Sequence, residues 1–177
     1  MKEIFKPIIV LALVCLIITG AVAGINQLTR DKIDEIDKAT AEAPMAELIA
    51  DAEFEDSMFS SAACREIYTA TSNGQTKGYI FTSSAFGYGG QVQVMTAIGT
   101  DGKIIGVRVI ACNDETPGLG QNAKKEDFTN QFIGFASDAE VDGADALASA
   151  TFTTNAVKNS INMALSDYKT ITGGAEN

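Results

Sequence analysis

The chain has 177 residues, with 13 lysines and arginines against 23 aspartates and glutamates, a formal net charge of −10 at pH 7. A chain this acidic repels nucleic acid and anionic lipid headgroups, so we expect no nucleic-acid partner. Histidine is absent, which excludes Ser-His and Cys-His catalysis and histidine-based metal sites. The length suffices for one domain with its own core plus an anchor.

The N-terminal stretch carries no charge between Lys6 and Arg30. Residues 8–25 are almost wholly apolar or small, and such a helix can cross a hydrocarbon core of roughly 30 Å. Lysines precede the run and acidic residues follow it, so the positive-inside rule predicts a cytoplasmic N-terminus and an extracytoplasmic main domain. We therefore predict a single-pass membrane anchor over residues 1–30. The alternative is a cleaved signal peptide, with the Ala-Val-Ala at 21–23 as its cleavage site.

Residues 31–60 are predicted to link the anchor to the main domain, which we assign to residues 61–177. As far as Ala43 the pattern is that of a charged, solvated helical stalk with a thin apolar stripe. Pro44 ends or restarts that helix, and a second short helix is predicted at 45–52. No strong pattern is visible from there to residue 63.

The next region is rich in strand signals. Asn-Gly at 73–74 and Asp-Gly at 101–102 are typical of two-residue hairpin turns. In the last strand, Ile105, Val107 and Val109 are predicted to share one apolar face. Strands are predicted at 64–71, 77–83, 91–99 and 103–111.

An antiparallel sheet with one apolar face needs a covering layer. Phe128, Phe132 and Phe135 can supply part of it. The rest comes from a C-terminal helix, because apolar residues after Asn155 recur at helical spacing. The sequence therefore predicts an α+β domain in which helices cover an antiparallel sheet. The buried stripe of the C-terminal helix is predicted to be Ala156, Val157, Ser160, Ile161, Ala164, Leu165 and Tyr168.

The cysteines form no Cys-x-x-Cys pair. Cys15 lies in the apolar N-terminal run, whereas Cys64 and Cys112 are far apart in the main domain. Two buried free thiols are the favoured interpretation of the latter pair. A disulfide between them is the alternative outside the cytoplasm.

A loop rich in small residues precedes the C-terminal helix. From Asp145 to Thr154 the sequence is DALASATFTT. Thr153, Thr154 or Asn155 is the predicted N-cap, which places Thr151 just before the helix N-terminus. Free N–H groups and the helix dipole make this place hospitable to a phosphate. From spacing alone, a plain N-cap loop is the simpler interpretation.

Two glycine-rich loops could also take part in ligand binding. In the ETPGLG segment at 115–120, Gly118 and Gly120 would let backbone N–H groups approach a planar ligand. Leu119 can pack on a ring face, and Glu115 and Thr116 can hydrogen-bond polar ring edges. By composition alone, a Pro-Gly turn after a strand is the favoured interpretation of this segment. The loop at 86–90, with Gly89 and Gly90, is a weaker signal.

The segment DALASAT resembles the flavinylation motif of the FMN-binding domain family found in RnfG and NqrC. That motif reads Asp, two variable residues, Ser or Thr, Gly, Ala, Thr, and Asp145, Ala150 and Thr151 match it. Ala148 stands where Ser or Thr is usual, and Ser149 where Gly is usual. The Gly-Tyr-Gly-Gly loop and the unchanged ETPGLG string occur in the family's order, so the resemblance spans nearly the whole chain.

The resemblance implies a cofactor and a role. FMN would be joined by a phosphoester to Thr151, with its isoalloxazine against ETPGLG and Gly89 and Gly90 nearby. Asp145 would be recognised by the flavin transferase that moves FMN from FAD. Asn113 stands where relatives often have His. The chain would carry electrons in an Rnf-type complex that couples ferredoxin and NAD chemistry to Na⁺ or H⁺ movement, with that complex's other subunits as partners.

Two alternatives to an electron carrier remain open at this point. One is a membrane-anchored, non-redox binding or assembly module that keeps the fold without flavin. The other is a stand-alone extracytoplasmic flavoprotein reductase.

Overall fold

The computed structural model describes residues 8, 10–25, 43–57, 59 and 61–173. The chain divides into two units, Met1–Glu42 and Ala43–Asn177. In the first unit residues 10–25 are helical, and among the described residues no helix combines the length and hydropathy that a membrane span requires. The stalk predicted up to Ala43 lies, as far as residue 42, outside the described residues.

The second unit is built on a five-stranded antiparallel sheet whose strand order follows the chain. The four predicted strands are confirmed. A further edge strand precedes them. Its acidic residues hide the alternation of apolar and polar residues by which a strand is predicted. Charged residues are common on sheet edges because they discourage pairing with other chains. The strands are β1 (Glu53–Asp56), β2 (Cys64–Ser72), β3 (Gln75–Phe86), β4 (Gln91–Gly99) and β5 (Ile104–Ala111).

One of the two predicted hairpin turns is confirmed and the other is longer than predicted. Asn73 and Gly74 both have positive φ angles, 53° and 74°, as a two-residue type I′ turn requires. Between β4 and β5 the prediction is wrong. The Gly99 N–H donates to the Lys103 carbonyl at 2.8 Å, and Gly102 alone in this loop has a positive φ, 79°. The loop therefore has three residues and ends in a left-handed glycine.

A bulge in β5 overturns one predicted buried side chain. Ala97 pairs with Gly106, but Ile98 pairs with Ile104, so the pairing register shifts by one residue at Ile105. An extra residue in one strand reverses the alternation beyond it. Ile104 is therefore 1% exposed and Ile105 38% exposed, whereas the sequence pattern alone placed Ile105 with the buried valines.

One face of the sheet is covered as predicted. Every residue of the predicted stripe on the C-terminal helix (Thr151–Gly173) is buried. The helix Glu126–Thr129 and the turn after it carry Phe128, Phe132 and Phe135, whose rings pack edge to face with centroids 5.6 and 6.2 Å apart. The apolar core therefore lies between the sheet and these segments. The short helix Asp138–Gly143 leads towards the C-terminal helix.

The opposite face is covered by a helix at residues 43–48. Gly106 allows this helix to approach, since a Cβ there would lie 2.6 Å from the Leu48 side chain. At the same face Arg108 forms an ion pair with Glu47 at 2.8 Å. The helix at 43–48 and β1 thus belong to the unit Ala43–Asn177, although both fall within the predicted linker.

Cys64 and Cys112 are buried free thiols, as the sequence favoured. Burial raises the pKa of both, and a hydrogen bond with Asp167 raises that of Cys64 further. Neither thiol ionises near neutral pH, so both behave as small apolar core residues.

Candidate functional site

A cavity of about 250 Å³ brings together the three segments that the sequence singled out. Tyr88 of the glycine-rich loop forms one side, the turn after β5 a second, and residues 149–153 the third. These segments are remote in the chain and meet because the C-terminal helix packs on β3 and β4. Six predicted site residues line the cavity: Glu115, Thr116, Leu119, Gly120, Ala150 and Thr151.

The ETPGLG segment contains a type II turn. The Leu119 N–H donates to the Thr116 carbonyl at 3.2 Å, and Pro117 and Gly118 occupy the two central positions. Gly118 has a φ of +76°, which this turn requires at its third residue. Gly118 therefore shapes the loop but does not line the cavity. The turn leaves Leu119 41% exposed at the cavity, which suits contact with a ring face.

Glu115 is the buried polar centre of the site, only 2% exposed. One carboxylate oxygen accepts the N–H groups of Gly89 at 2.9 Å and Gly90 at 3.4 Å. The other accepts the hydroxyl of Thr153. Glu115 thus ties the glycine-rich loop to the C-terminal helix, and any hydrogen bond to a ligand would share oxygens that already have protein donors.

The glycines around Glu115 are needed for close approach. A Cβ on Gly87 would lie 2.3 Å from Glu115 Oε1, and one on Gly120 would lie 2.7 Å from Oε2. A Cβ on Gly89 would lie 1.8 Å from the Asp114 carbonyl oxygen. Gly89 and Gly90 therefore contribute to the site by holding Glu115, and they do not line the cavity.

The charge of Glu115 is maintained by its donors. Burial alone would raise the pKa of this carboxyl, but the hydrogen bonds from Thr153, Gly89 and Gly90 outweigh burial and hold the pKa below its ordinary value. A fixed negative charge therefore lies at the base of the cavity at neutral pH.

Thr151 is the first residue of the C-terminal helix and is exposed. The predicted N-caps are wrong, because the helix begins earlier than its apolar stripe suggests. The Ala150 carbonyl already accepts the Thr154 N–H at 2.9 Å. The Thr154 hydroxyl instead receives the Leu147 N–H at 3.0 Å. The Thr151 hydroxyl thus lies at a helix N-terminus, where N–H groups attract a phosphate.

Ser149 adopts the left-handed conformation that favours glycine, with a φ of 60°. This is the position at which the related motif has Gly. A residue with a Cβ costs about 1–2 kcal/mol in this region, so the loop carries local strain two residues before Thr151.

We expect Ser149→Gly to raise the free energy of unfolding by about 0.5–1 kcal/mol, because relief of strain exceeds the added entropy of the unfolded chain. Denaturant titration of the full chain measures it. Ser166→Gly, at an exposed position within the C-terminal helix, is the control and should lower stability by about 0.5 kcal/mol. Equal losses in both variants would contradict the strain at Ser149.

Exposed apolar side chains surround the cavity opening. Tyr88 is 76% and Phe152 66% exposed, and their ring centroids are 6.3 Å apart. Sites that enclose a drug-sized ligand usually measure about 300–1,000 Å³, so this cavity is too small to enclose a flavin. Its residues fit a planar aromatic group that rests on the surface while a phosphate is held at the helix N-terminus.

Asp145 lies outside the cavity lining and is exposed. Its backbone is paired with the Gln131 side chain, and its carboxylate has no hydrogen-bond partner in the part of the chain that the structure describes. The side-chain oxygen of Asn113 accepts a hydrogen bond from Lys124 Nζ at 3.1 Å.

Four residues that line the cavity were not among the predicted site residues: Tyr88, Ser149, Phe152 and Thr153. Tyr88 lines the cavity from the centre of the glycine-rich loop, and Thr153 binds the buried carboxylate. A lone aromatic residue flanked by glycines was the available signal for Tyr88. The role of Thr153 had none, because its partner is 38 residues away in the chain.

Two family models match the chain. The FMN-binding domain matches residues 87–166, which include all three segments of the cavity. The RnfG N-terminal region matches residues 1–47. The order of the two matches agrees with the division of the chain into two units.

Similar proteins of known family include the G subunit of the Na(+)-translocating ferredoxin:NAD(+) oxidoreductase complex of Acetobacterium woodii. It is 30% identical, over 96% of this chain and 94% of that protein. The G subunit of the ion-translocating oxidoreductase complex of Haemophilus influenzae is 32% identical over 84% and 81%. Its counterpart in the proton-translocating ferredoxin:NAD(+) oxidoreductase complex of Clostridium ljungdahlii is 33% identical, but over 62% of this chain and 63% of its own length. Both family models and these relatives agree, and the chain belongs to the RnfG family.

Proposed function

We propose that this chain is an electron-carrying flavoprotein subunit of a membrane-bound Rnf-type oxidoreductase, with FMN bound covalently to Thr151. One observation carries the proposal. The exposed hydroxyl at the start of the C-terminal helix shares a cavity with the ETPGLG turn. The relatives are named as subunits of ion-translocating complexes, two of them ferredoxin:NAD(+) oxidoreductases. The same coupling to Na⁺ or H⁺ movement is proposed here.

The proposed attachment is a phosphoryl transfer to Thr151. FAD is the donor and a flavin transferase the catalyst, and the Thr151 oxygen forms a bond to the phosphorus on the FMN side. The pyrophosphate P–O bond breaks, AMP leaves, and the hydroxyl proton passes to the AMP phosphate or to solvent. The product is a phosphodiester with one negative charge, which the N–H groups of the first helical turn stabilise.

The residues around the cavity set the environment of the bound group. The protein supplies position and electrostatics, and the flavin, when bound, supplies one- and two-electron redox chemistry. Leu119, Tyr88 and Phe152 offer apolar contacts to a ring system. The charge of Glu115 beneath them disfavours added negative charge on the ring and so lowers its reduction potential. No side chain is required as an acid or a base.

The proposed location is the cell membrane, with residues 1–30 as a single-pass anchor, the N-terminus in the cytoplasm and the main domain outside it. The uncharged run between Lys6 and Arg30 supports this arrangement. The match of residues 1–47 to the RnfG N-terminal region is consistent with it.

The test uses the chain in its own cells. Protease added to spheroplasts should remove the main domain before lysis, while a cytoplasmic protein in the same sample, which should stay intact, is the control for lysis. Protein purified from detergent-solubilised membranes should carry the mass of one FMN less one water on the peptide containing Thr151. Integral membrane redox subunits should copurify with it.

The alternatives give different results in the same experiment. A colourless, unmodified chain that still copurifies with membrane subunits indicates a binding or assembly module. A flavinylated chain that copurifies with no other subunit indicates a stand-alone flavoprotein reductase. Protection of the main domain in intact spheroplasts contradicts the proposed topology.

A further inference from the structure

The loop at 144–150, between the short helix Asp138–Gly143 and Thr151, is held by three side chains from outside it. It has no strand or helix of its own, yet hydrogen bonds reach it at both ends and in its middle. The side chains are those of Lys158, Gln131 and Thr154.

Lys158 holds the beginning of the loop. It is 9% exposed, and its ammonium donates to the carbonyls of Asp142 at 2.9 Å and Ala144 at 2.6 Å. No ion pair among the described residues includes it, so main-chain carbonyls alone offset its burial. A buried ammonium is costly, and carbonyls at a helix C-terminus carry the partial negative charge that stabilises it.

Gln131 holds the next residue from a different segment. Its side-chain oxygen accepts the Asp145 N–H at 2.8 Å, and its side-chain nitrogen donates to the Asp145 carbonyl at 3.3 Å. The same nitrogen donates to the Phe128 carbonyl at 2.9 Å. The amide thus pairs with both backbone groups of Asp145 and ties them to the aromatic segment of the core.

Thr154 completes the arrangement from within the C-terminal helix. Its hydroxyl accepts the Leu147 N–H and donates to the Ala150 carbonyl, each at 3.0 Å. Asp145 and Thr151 are therefore presented at the two ends of a loop whose backbone is fixed before any cofactor arrives.

We infer that Lys158 and Gln131 are positioning residues that hold this loop in the conformation the flavin transferase binds. The inference rests on the proposed attachment of FMN to Thr151. Ordering a free loop costs conformational entropy for each residue fixed. A loop that is already ordered spares the transferase that cost, so loss of either clamp should raise the KM for this chain and leave kcat unchanged.

The test compares Lys158→Met and Gln131→Leu with Lys169→Met. Lys169 lies on the same helix and pairs with Asp138 of the same short helix at 3.5 Å, but its side chain is exposed and, among the described residues, donates no hydrogen bond to the loop. Full-length chains made without transferase are incubated with purified transferase and FAD, and initial rates of adduct formation are measured. Hydrogen exchange at the Asp145 and Leu147 amides is measured on the same unmodified chains.

We expect the two clamp variants to raise KM about tenfold, with kcat within about twofold of wild type, and to exchange both amides faster. Lys169→Met should match wild type in both measurements. An unchanged KM in the clamp variants overturns the inference, whether or not the two amides exchange faster. If Lys158→Met does not fold, Gln131→Leu still decides, because it removes a partly exposed, uncharged side chain.

The proposed function and this inference fail in different ways. Wild-type chain that takes no FMN refutes the attachment itself and, with it, any role in the transferase reaction. Wild-type chain modified normally, together with clamp variants modified at the wild-type KM, refutes only the positioning role.

Discussion

Replacing Thr151 with alanine should abolish the flavin adduct completely. A phosphoester needs the hydroxyl oxygen, and alanine has none. The cavity of about 250 Å³ is too small to retain a flavin by enclosure, so non-covalent binding should not substitute for the bond. Intact-mass measurement of chain coexpressed with a flavin transferase should show one FMN less one water on wild type and nothing on Thr151→Ala.

Two further variants make this result specific. Thr151→Ser keeps a hydroxyl at the helix start and should retain the adduct. Thr170→Ala, an exposed threonine near the other end of the same helix, should be fully modified. An adduct that persists on Thr151→Ala would place the attachment on another residue and refute the proposed role of Thr151.

Glu115→Ala should cost the protein about 3–5 kcal/mol of stability. The substitution leaves the N–H groups of Gly89 and Gly90 and the hydroxyl of Thr153 without their buried acceptor. It also opens space among glycines that are packed around the carboxylate. Denaturant unfolding of the unmodified full chain measures the loss, so the result does not depend on flavin.

Glu115→Gln is the matched comparison and should cost about 1–2 kcal/mol, since it retains one acceptor oxygen. Glu126→Ala is the control, because the Glu126 side chain is exposed and pairs with Arg108 at 3.4 Å. Its expected change is below about 1 kcal/mol. Similar losses for Glu115→Ala and Glu126→Ala would contradict the structural role of Glu115.

The pH dependence of stability should follow the same carboxylate. Its folded-state pKa is lowered from the ordinary value of 4.5. The stability it contributes is therefore present above pH 4.5 and is lost as the pH falls through the lower folded-state pKa. Glu115→Gln should flatten this acid loss. Part of it should persist, because hydrogen bonds with the Ala136 N–H and the Ser137 side chain also lower the pKa of Glu140.

Local patterns were sufficient for most of the secondary structure. Alternating apolar residues predicted the extent of β4. Helical spacing predicted a C-terminal stripe whose residues are all buried, although Lys158 and Ile171 of the same helix are buried as well. Asn73-Gly74 predicted its own turn, because both residues accept a positive φ. These features depend on residues that are neighbours in the sequence, so they can be predicted from the sequence.

Features that depend on distant partners were not predictable. The bulge at Ile105 arises from the pairing of β5 with β4, and β1 exists because β2 offers it an edge. The early helix start at Thr151 involves side-chain contacts made by Thr153 and Thr154. Residue type alone could not show that Thr153 and Thr154 make these contacts while the Thr151 side chain is exposed.

The sequence by itself determined the fold class and the family motifs, because both are expressed in residue types at short spacing. Thr151 became the candidate attachment residue through the resemblance of DALASAT to the family motif. Only the tertiary structure decided that Glu115 supports the cavity through donors 26 and 38 residues away. It alone also decided that Lys158 and Gln131 hold the loop before Thr151. Hydrogen bonds of this kind depend on which backbone groups the packed helices and sheet bring within reach, and no local pattern records that.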